Sequence, residues 1–186
     1  MKKFLALSLF LGFLLPMSSF AQMALLRDNG TGMPITANPF LGVKGSAYFD
    51  EFNKGIIYLA TGQKVEGLPI ALNAYSNTLE YKLEGKLFAY TPEKVTGFSY
   101  PAEAGGREYT SAYVVPTLKS RRFLKILEKG TYTLLYHGYK TMTDDPSATY
   151  GAQASKVFQD QEEFFVVMNE KVMLMKNKEK DLQQIF

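Results

Sequence analysis

The stretch "TLEYKLEGKLFAY" (Thr78–Tyr90) decides the fold. Leu79, Tyr81 and Leu83 alternate with Thr78, Glu80, Lys82 and Glu84, and Glu84-Gly85 then turns the chain into Lys-Leu-Phe-Ala-Tyr. A period of two is the period of a half-buried strand, and glycine supplies the positive φ of a two-residue hairpin turn. The pattern predicts a β-hairpin with Leu79, Tyr81 and Leu83 inside, each burial contributing roughly 1.5–3 kcal/mol. Thr78, Glu80, Lys82 and Glu84 are expected on the opposite face, toward water or a polar neighbour. A slip of one residue would turn the charged set inward, so the register is specified.

The same grammar continues on both sides. Upstream, "GIIYLAT" (Gly55–Thr61) is β-branched and aromatic, "GQK" turns the chain, and "VEGLPIALNAY" (Val65–Tyr75) sets Leu68, Ile70, Leu72 and Ala74 on one face. Pro69 has no amide donor, which predicts an edge strand or a bulge beside Gly67. Ser76-Asn77 turns into the hairpin, and "VTGFSY" (Val95–Tyr100) reads as a fifth strand of an antiparallel meander. Ser46–Phe52 is expected to dock on this unit through Tyr48, Phe49 and Phe52.

After the break "PAEAGGRE" (Pro101–Glu108), "EYTSAYVV" (Glu108–Val115) reads as a strand and "RFLKILEKGTYTLLYHGYKTM" (Arg122–Met142) as a hairpin with Lys129-Gly130 at its tip. Tyr132, Leu134 and Tyr136 share a face of that hairpin. Thr143–Glu162 is polar and rich in small residues, which predicts a long loop with a short helix around Ala152–Phe158. "EFFVVMNEKVMLM" (Glu163–Met175) turns at Asn169-Glu170. "KNKEKDLQQIF" (Lys176–Phe186) places Leu182, Ile185 and Phe186 on one helical face, with Asn177 as a cap. The expected class is all-β, mainly an antiparallel meander, sandwich- or barrel-like, with a short C-terminal α-helix.

The first residues predict where the chain goes. Met1-Lys2-Lys3, the apolar run "FLALSLFLGFLL" (Phe4–Leu15), Pro16, and Ser19 with Ala21 follow the order of a secretory signal peptide cleaved after Ala21. The run is shorter than the roughly 20 residues a spanning helix needs, so no transmembrane helix is expected in the mature chain. Residues 22–54 read as an irregular N-terminal arm and 55–186 as a single β-rich domain. The expected location is periplasmic or extracellular, by the Sec route. Without Lys2 and Lys3 the chain carries 19 basic and 18 acidic side chains, a net +1. There is no basic stripe, and Arg121-Arg122 with Lys119 and Lys125 is a short cluster read as a solvated strand end. That argues against nucleic acid. With no cysteine in the chain, stability must come from burial rather than disulfides.

"YLATGQKVEGLPIALNAYSNTLEYK" (Tyr58–Lys82), with "FLKILEKGTYTLLY" (Phe123–Tyr136) and the tail from Phe164, resembles an uncharacterised family of exported β-rich proteins of Bacteroidetes-type bacteria. The resemblance implies a Gram-negative envelope location and an all-β core. It implies no enzyme and brings no functional residues with it.

The residues themselves limit the chemistry. A Ser-His-Asp arrangement needs a histidine, and the single one, His137, lies mid-strand beside a glycine. One histidine without cysteine does not make the usual tetrahedral zinc centre, and no cofactor motif is present. Asp144-Asp145, Asp160 with Glu162-Glu163, and Asp50-Glu51 are the carboxylates available for a cation or a glycosidase pair. Tyrosine combines an apolar body with a polar tip and suits recognition. Tyr109, Tyr113, Tyr132, Tyr136, Tyr139 and Tyr150, with Asp144 and Asp145, are therefore the candidate ligand-binding residues. The expected function is a non-catalytic binding module for a protein or glycan partner. The alternatives are a hydrolase using loop carboxylates and an assembly component pairing through the Pro69-bearing edge.

Overall fold

The computed structural model describes residues 33–34, 40–147 and 156–176, all within the compact unit Gly32–Phe186. The segment expected to be a signal peptide, most of the arm before Phe40, and the C-terminal helix expected at 177–186 lie outside the described residues. What is described is mostly strand, with one short 3-10 helix at Ala102–Ala104, in keeping with the expected all-β class.

The opening hairpin forms as its alternation dictates. β5 (Thr78–Leu83) pairs β6 (Lys86–Tyr90) with Tyr81 opposite Phe88. Glu84 at φ 51 and Gly85 at φ 73 make the turn. Before it run β3 (Asn53–Leu59) and β4 (Lys64–Asn73), antiparallel to each other and to β5. Gly55 faces Leu68 and Ile56 faces Glu66, so Gly67, at φ 78, is the bulged residue. Pro69 lies just beyond the β4–β5 ladder, which ends at Ile70↔Tyr81. The edge placement is overturned: β4 lies between β3 and β5.

The meander ends one strand early. β7 (Val95–Ser99) does not extend beyond β6 but pairs with β3 on the far side. In a flat sheet four spacings, about 19 Å, would separate β6 from β7. The Thr91–Lys94 link could span that only if fully extended, yet it folds back, Lys94 N donating to Thr91 O at 3.0 Å. The sheet must therefore coil. Ile57, Ile70, Leu79, Tyr81 and Phe98 fill its inner face and are fully buried.

The sheet continues from β7 through β8 (Glu108–Thr110), β11 (Leu124–Lys129), β12 (Thr133–Asp144) and β13 (Lys156–Met168) to β14 (Lys171–Leu174). Two short strands pair at its borders, β1 (Met33–Pro34) with β6 and β2 (Val43–Lys44) in parallel with β13. The expected strand Glu108–Val115 is broken. Its second half, β9 (Val114–Val115), leaves the sheet and pairs with β10 (Ser120–Arg121). That ribbon lays Val115 over Leu124, Leu135, Phe165 and Val167, making a second core on the opposite face.

Of the loop expected at Thr143–Glu162, Thr143–Asp144 and Lys156–Glu162 are strand, while 148–155, with the first part of the helix expected at Ala152–Phe158, lie outside the described residues. β12 and β13 pair in unbroken register from Thr133↔Val167 to Asp144↔Lys156. Lys156–Phe158 is extended rather than helical. The polar residues of the segment misled because Gln159–Glu162 form a stretch of β13 exposed on both faces. The β13–β14 turn falls at Asn169-Glu170 as expected, with φ 48 and 62.

Residues 40–52 form a strap across the sheet. Ala47 O accepts from Ala74 N at 2.9 Å, and Tyr48 bridges to Asn73. Phe49 lies against Gly138 and beneath the Lys140 ammonium, 4.6 Å from its ring centroid. Phe52 carries the Lys82 ammonium at 4.3 Å. Phe40, Tyr75 and Phe158 meet edge to face at 5.3–5.5 Å. The strap covers the face that alternation assigns to solvent, so Glu80 is not exposed but 2% accessible.

Candidate functional site

The groove begins with a glycine. Gly97, in the middle of β7, stands opposite Tyr58 of β3 and Thr110 of β8. A Cβ there would lie 2.3 Å from the Tyr109 carbonyl oxygen, so only glycine lets β7 and β8 approach this closely. The bare position becomes the floor of a groove of about 480 Å³. Tyr58 borders it from β3, and Tyr113 and Ile126 border it from the second core. Thr96, Thr110 and Thr133 add hydroxyls. At one end Lys129 Nζ donates to Glu108 Oε1 at 2.6 Å.

The polar groups are tied into the sheet. Tyr58 Oη and Ser99 Oγ are 3.1 Å apart. Thr96 Oγ1 donates to the Tyr58 carbonyl at 3.2 Å, and Thr110 Oγ1 accepts from Ala112 N at 3.1 Å. Strands β3, β7, β8 and β11 use their backbone groups on one another. The groove therefore offers a ligand aromatic faces, hydroxyls and one ion pair.

Of the eight predicted residues, two meet here. Tyr113 is part of the wall. Tyr109 lines the groove, but its ring points the other way and stacks on Phe98 at 4.4 Å. Burial pushes the Tyr109 hydroxyl up to about 12, the Arg107 charge acting against the rise. Arg107 itself donates to Asp50 at 2.5 Å and lies 4.9 Å over the Tyr100 ring. Tyr132 is half-buried beside the groove residue Thr133. Tyr136 packs edge to face on Phe164 at 5.2 Å, and Tyr139 stacks on His137 at 4.8 Å. Asp144 is held by Lys156 at 2.6 Å, and Asp145 by Lys44 and Ser147. These last four residues are apart from the groove lining. Tyr150 lies outside the described residues.

Sequence reading missed Tyr58, Glu108, Lys129 and the floor. A signal was present: a glycine amid "VTGFS" marks close backbone approach. Alternation also sets Tyr58 on the face opposite Ile57 and Leu59.

His137 is a packing residue, 3% accessible, with Nδ1 3.2 Å from Glu163 Oε2. Burial holds its pKa below the ordinary value, while Glu163 pulls it upward. Glu80 accepts from Tyr48 Oη at 2.5 Å and from Asn73 Nδ2 at 2.8 Å. Asn73 Oδ1 in turn accepts from Tyr75 N and Ser76 N. Among the described residues no three His, Asp or Glu side chains group as metal ligands, and no helix is long and apolar enough to cross a membrane. No family model, curated protein or solved structure matches the chain.

Proposed function

We propose that the protein is an exported, non-catalytic binding module whose ligand lies in the groove over Gly97. The observation that carries this reading is the groove itself, a concave surface of about 480 Å³, within the range of small-molecule sites. Tyr58 and Tyr113 line it above a floor that only glycine permits. Export to the envelope rests on the N-terminal pattern of charge, apolar run and small residues at the cleavage point. It fits the resemblance to exported Bacteroidetes-type proteins.

A hydrolase using the carboxylates of Thr143–Glu162 has less support. Asp144, Asp145 and Asp160 each face a lysine, at 2.6 Å for Asp144 and Asp160, and Asp144 and Asp160 lie on the paired strands β12 and β13. Assembly through the Pro69 edge lacks its geometry, since β4 has a neighbour on both sides.

The test is a thermal-shift panel of glycans, peptides, lipids and Ca²⁺ on residues 22–186, repeated with Tyr113→Ala. A ligand at about 100 times its dissociation constant adds about 2.7 kcal/mol to stability. A shift that disappears in Tyr113→Ala supports the groove. A shift that survives in Tyr113→Ala and Tyr58→Ala places binding elsewhere and defeats the reading.

A further inference from the structure

Resting on the groove reading, we infer that the ligand is a neutral oligosaccharide. Three features of the site select this class. The first is charge. The lining holds one carboxylate and one ammonium, Glu108 and Lys129, bonded to each other at 2.6 Å. An anionic or cationic ligand would meet no uncompensated opposite charge there, whereas a sugar hydroxyl can donate to the carboxylate and accept from the ammonium together.

The second feature is the backbone. A peptide brings a donor and an acceptor at nearly every residue and needs them paired when covered. Extended peptides meet that need by adding to an open strand edge. Here the floor is β7 and β8 in the interior of the sheet, with β3 on one side and Leu124 and Lys125 of β11 on the other, so the floor itself has no edge for a peptide to join. A sugar makes no such demand.

The third feature is the pairing of surfaces. Tyr58 and Tyr113 supply aromatic area for the C–H face of a pyranose. Thr96 and Thr110 donate their hydroxyl protons to the Tyr58 and Thr96 carbonyls and keep lone pairs that can accept, and Thr133 adds a third hydroxyl. Apolar walls with a few convergent polar groups are how pockets of this size orient a ligand, and a sugar ring carries both surfaces. Gly97 lets β8 lie close against β7 at the floor, since a side chain there would strike the Tyr109 carbonyl.

The experiment is isothermal titration of residues 22–186 with maltotetraose, cellotetraose, mannotetraose and xylotetraose, alongside tetragalacturonate and tetra-alanine. At least one neutral tetrasaccharide is expected to bind, with tetragalacturonate at least tenfold weaker and tetra-alanine silent. Tyr113→Ala is expected to weaken the sugar by about tenfold, equivalent to about 1.4 kcal/mol, and Tyr113→Phe to retain most of it. Lys129→Met, on an exposed side chain, is expected to weaken the sugar without lowering the melting temperature appreciably.

The outcomes separate the two claims. If only tetragalacturonate or tetra-alanine binds, and Tyr113→Ala abolishes it, the groove stands and the neutral-glycan assignment is overturned. If a neutral sugar binds equally to Tyr113→Ala, Tyr58→Ala and wild type, the groove reading itself fails. If none of the six probes binds, the neutral-glycan assignment is overturned.

Discussion

Tyr48→Phe tests the claim that the strap is a structural layer rather than a loose arm. The substitution keeps the ring and removes one hydrogen bond, Tyr48 Oη to Glu80 Oε2 at 2.5 Å. Its acceptor is a carboxylate in a residue only 2% accessible. A hydrogen bond to a charged group contributes roughly 1.5–3 kcal/mol net. Tyr48 is half-buried, so water can partly replace it, which points to the lower end, about 1.5–2 kcal/mol. For a domain of this size that is a fall of roughly 3–8 °C in melting temperature.

Urea unfolding of residues 22–186 followed by circular dichroism measures the loss directly. A cycle with Glu80→Gln isolates the pair. Glutamine keeps an acceptor for Asn73 Nδ2 but removes the charge, so Tyr48→Phe should cost about 1 kcal/mol less in that background. A loss below about 0.5 kcal/mol in the wild-type background, the usual scale of a surface change, or a coupling of zero, would refute the reasoning. The Tyr48–Glu80 bond would then hold nothing in place.

Three further outcomes are expected. Gly97→Ala drives a Cβ to 2.3 Å from the Tyr109 carbonyl oxygen and should cost about 3 kcal/mol, the upper end for overpacking, measured by the same melts. Glu170→Gly removes a non-glycine residue from φ 62 in the β13–β14 turn and should raise stability by about 0.5 kcal/mol, since glycine's own entropy offsets part of the relief. Stability should also fall toward both pH extremes. Burial raises the pKa of Tyr48, Tyr90, Tyr100 and Tyr109 above the ordinary 10.0 of tyrosine. Above pH 10 the unfolded chain therefore loses protons first, and stability declines as pH climbs toward the folded values. His137 is depressed from 6.5 by burial, so its contribution is present above pH 6.5 and lost as pH falls through its folded pKa. Melts from pH 5 to 11 should show that His137→Gln flattens the acid limb alone.

Much of the fold was legible because strand alternation and turn chemistry are local. Thr78–Tyr90 specifies its own register, Asn169-Glu170 makes its own turn, and the glycine at position 67 announces its bulge. Of the residues lining the proposed groove, Tyr113 was named from the chemistry of tyrosine rather than from alternation. Tyr58, Glu108 and Lys129 were not, because they come from strands far apart in the chain and meet only across β3, β7, β8 and β11. Lys156–Glu162 was misjudged because composition cannot distinguish a solvated loop from a strand exposed on both faces.

By itself, then, the sequence determined the β class, the hairpins and which side chains share each strand face. Tertiary structure alone decided which of those faces acquire a second layer. The Thr91–Lys94 link is too short and too folded for a flat sheet, so the sheet coils. The strap then buries Glu80, and the β9–β10 ribbon covers Leu124 and Leu135. Alternation tells a residue which way to point. What it meets there depends on segments distant in sequence, and on the close backbone approach that Gly97 permits.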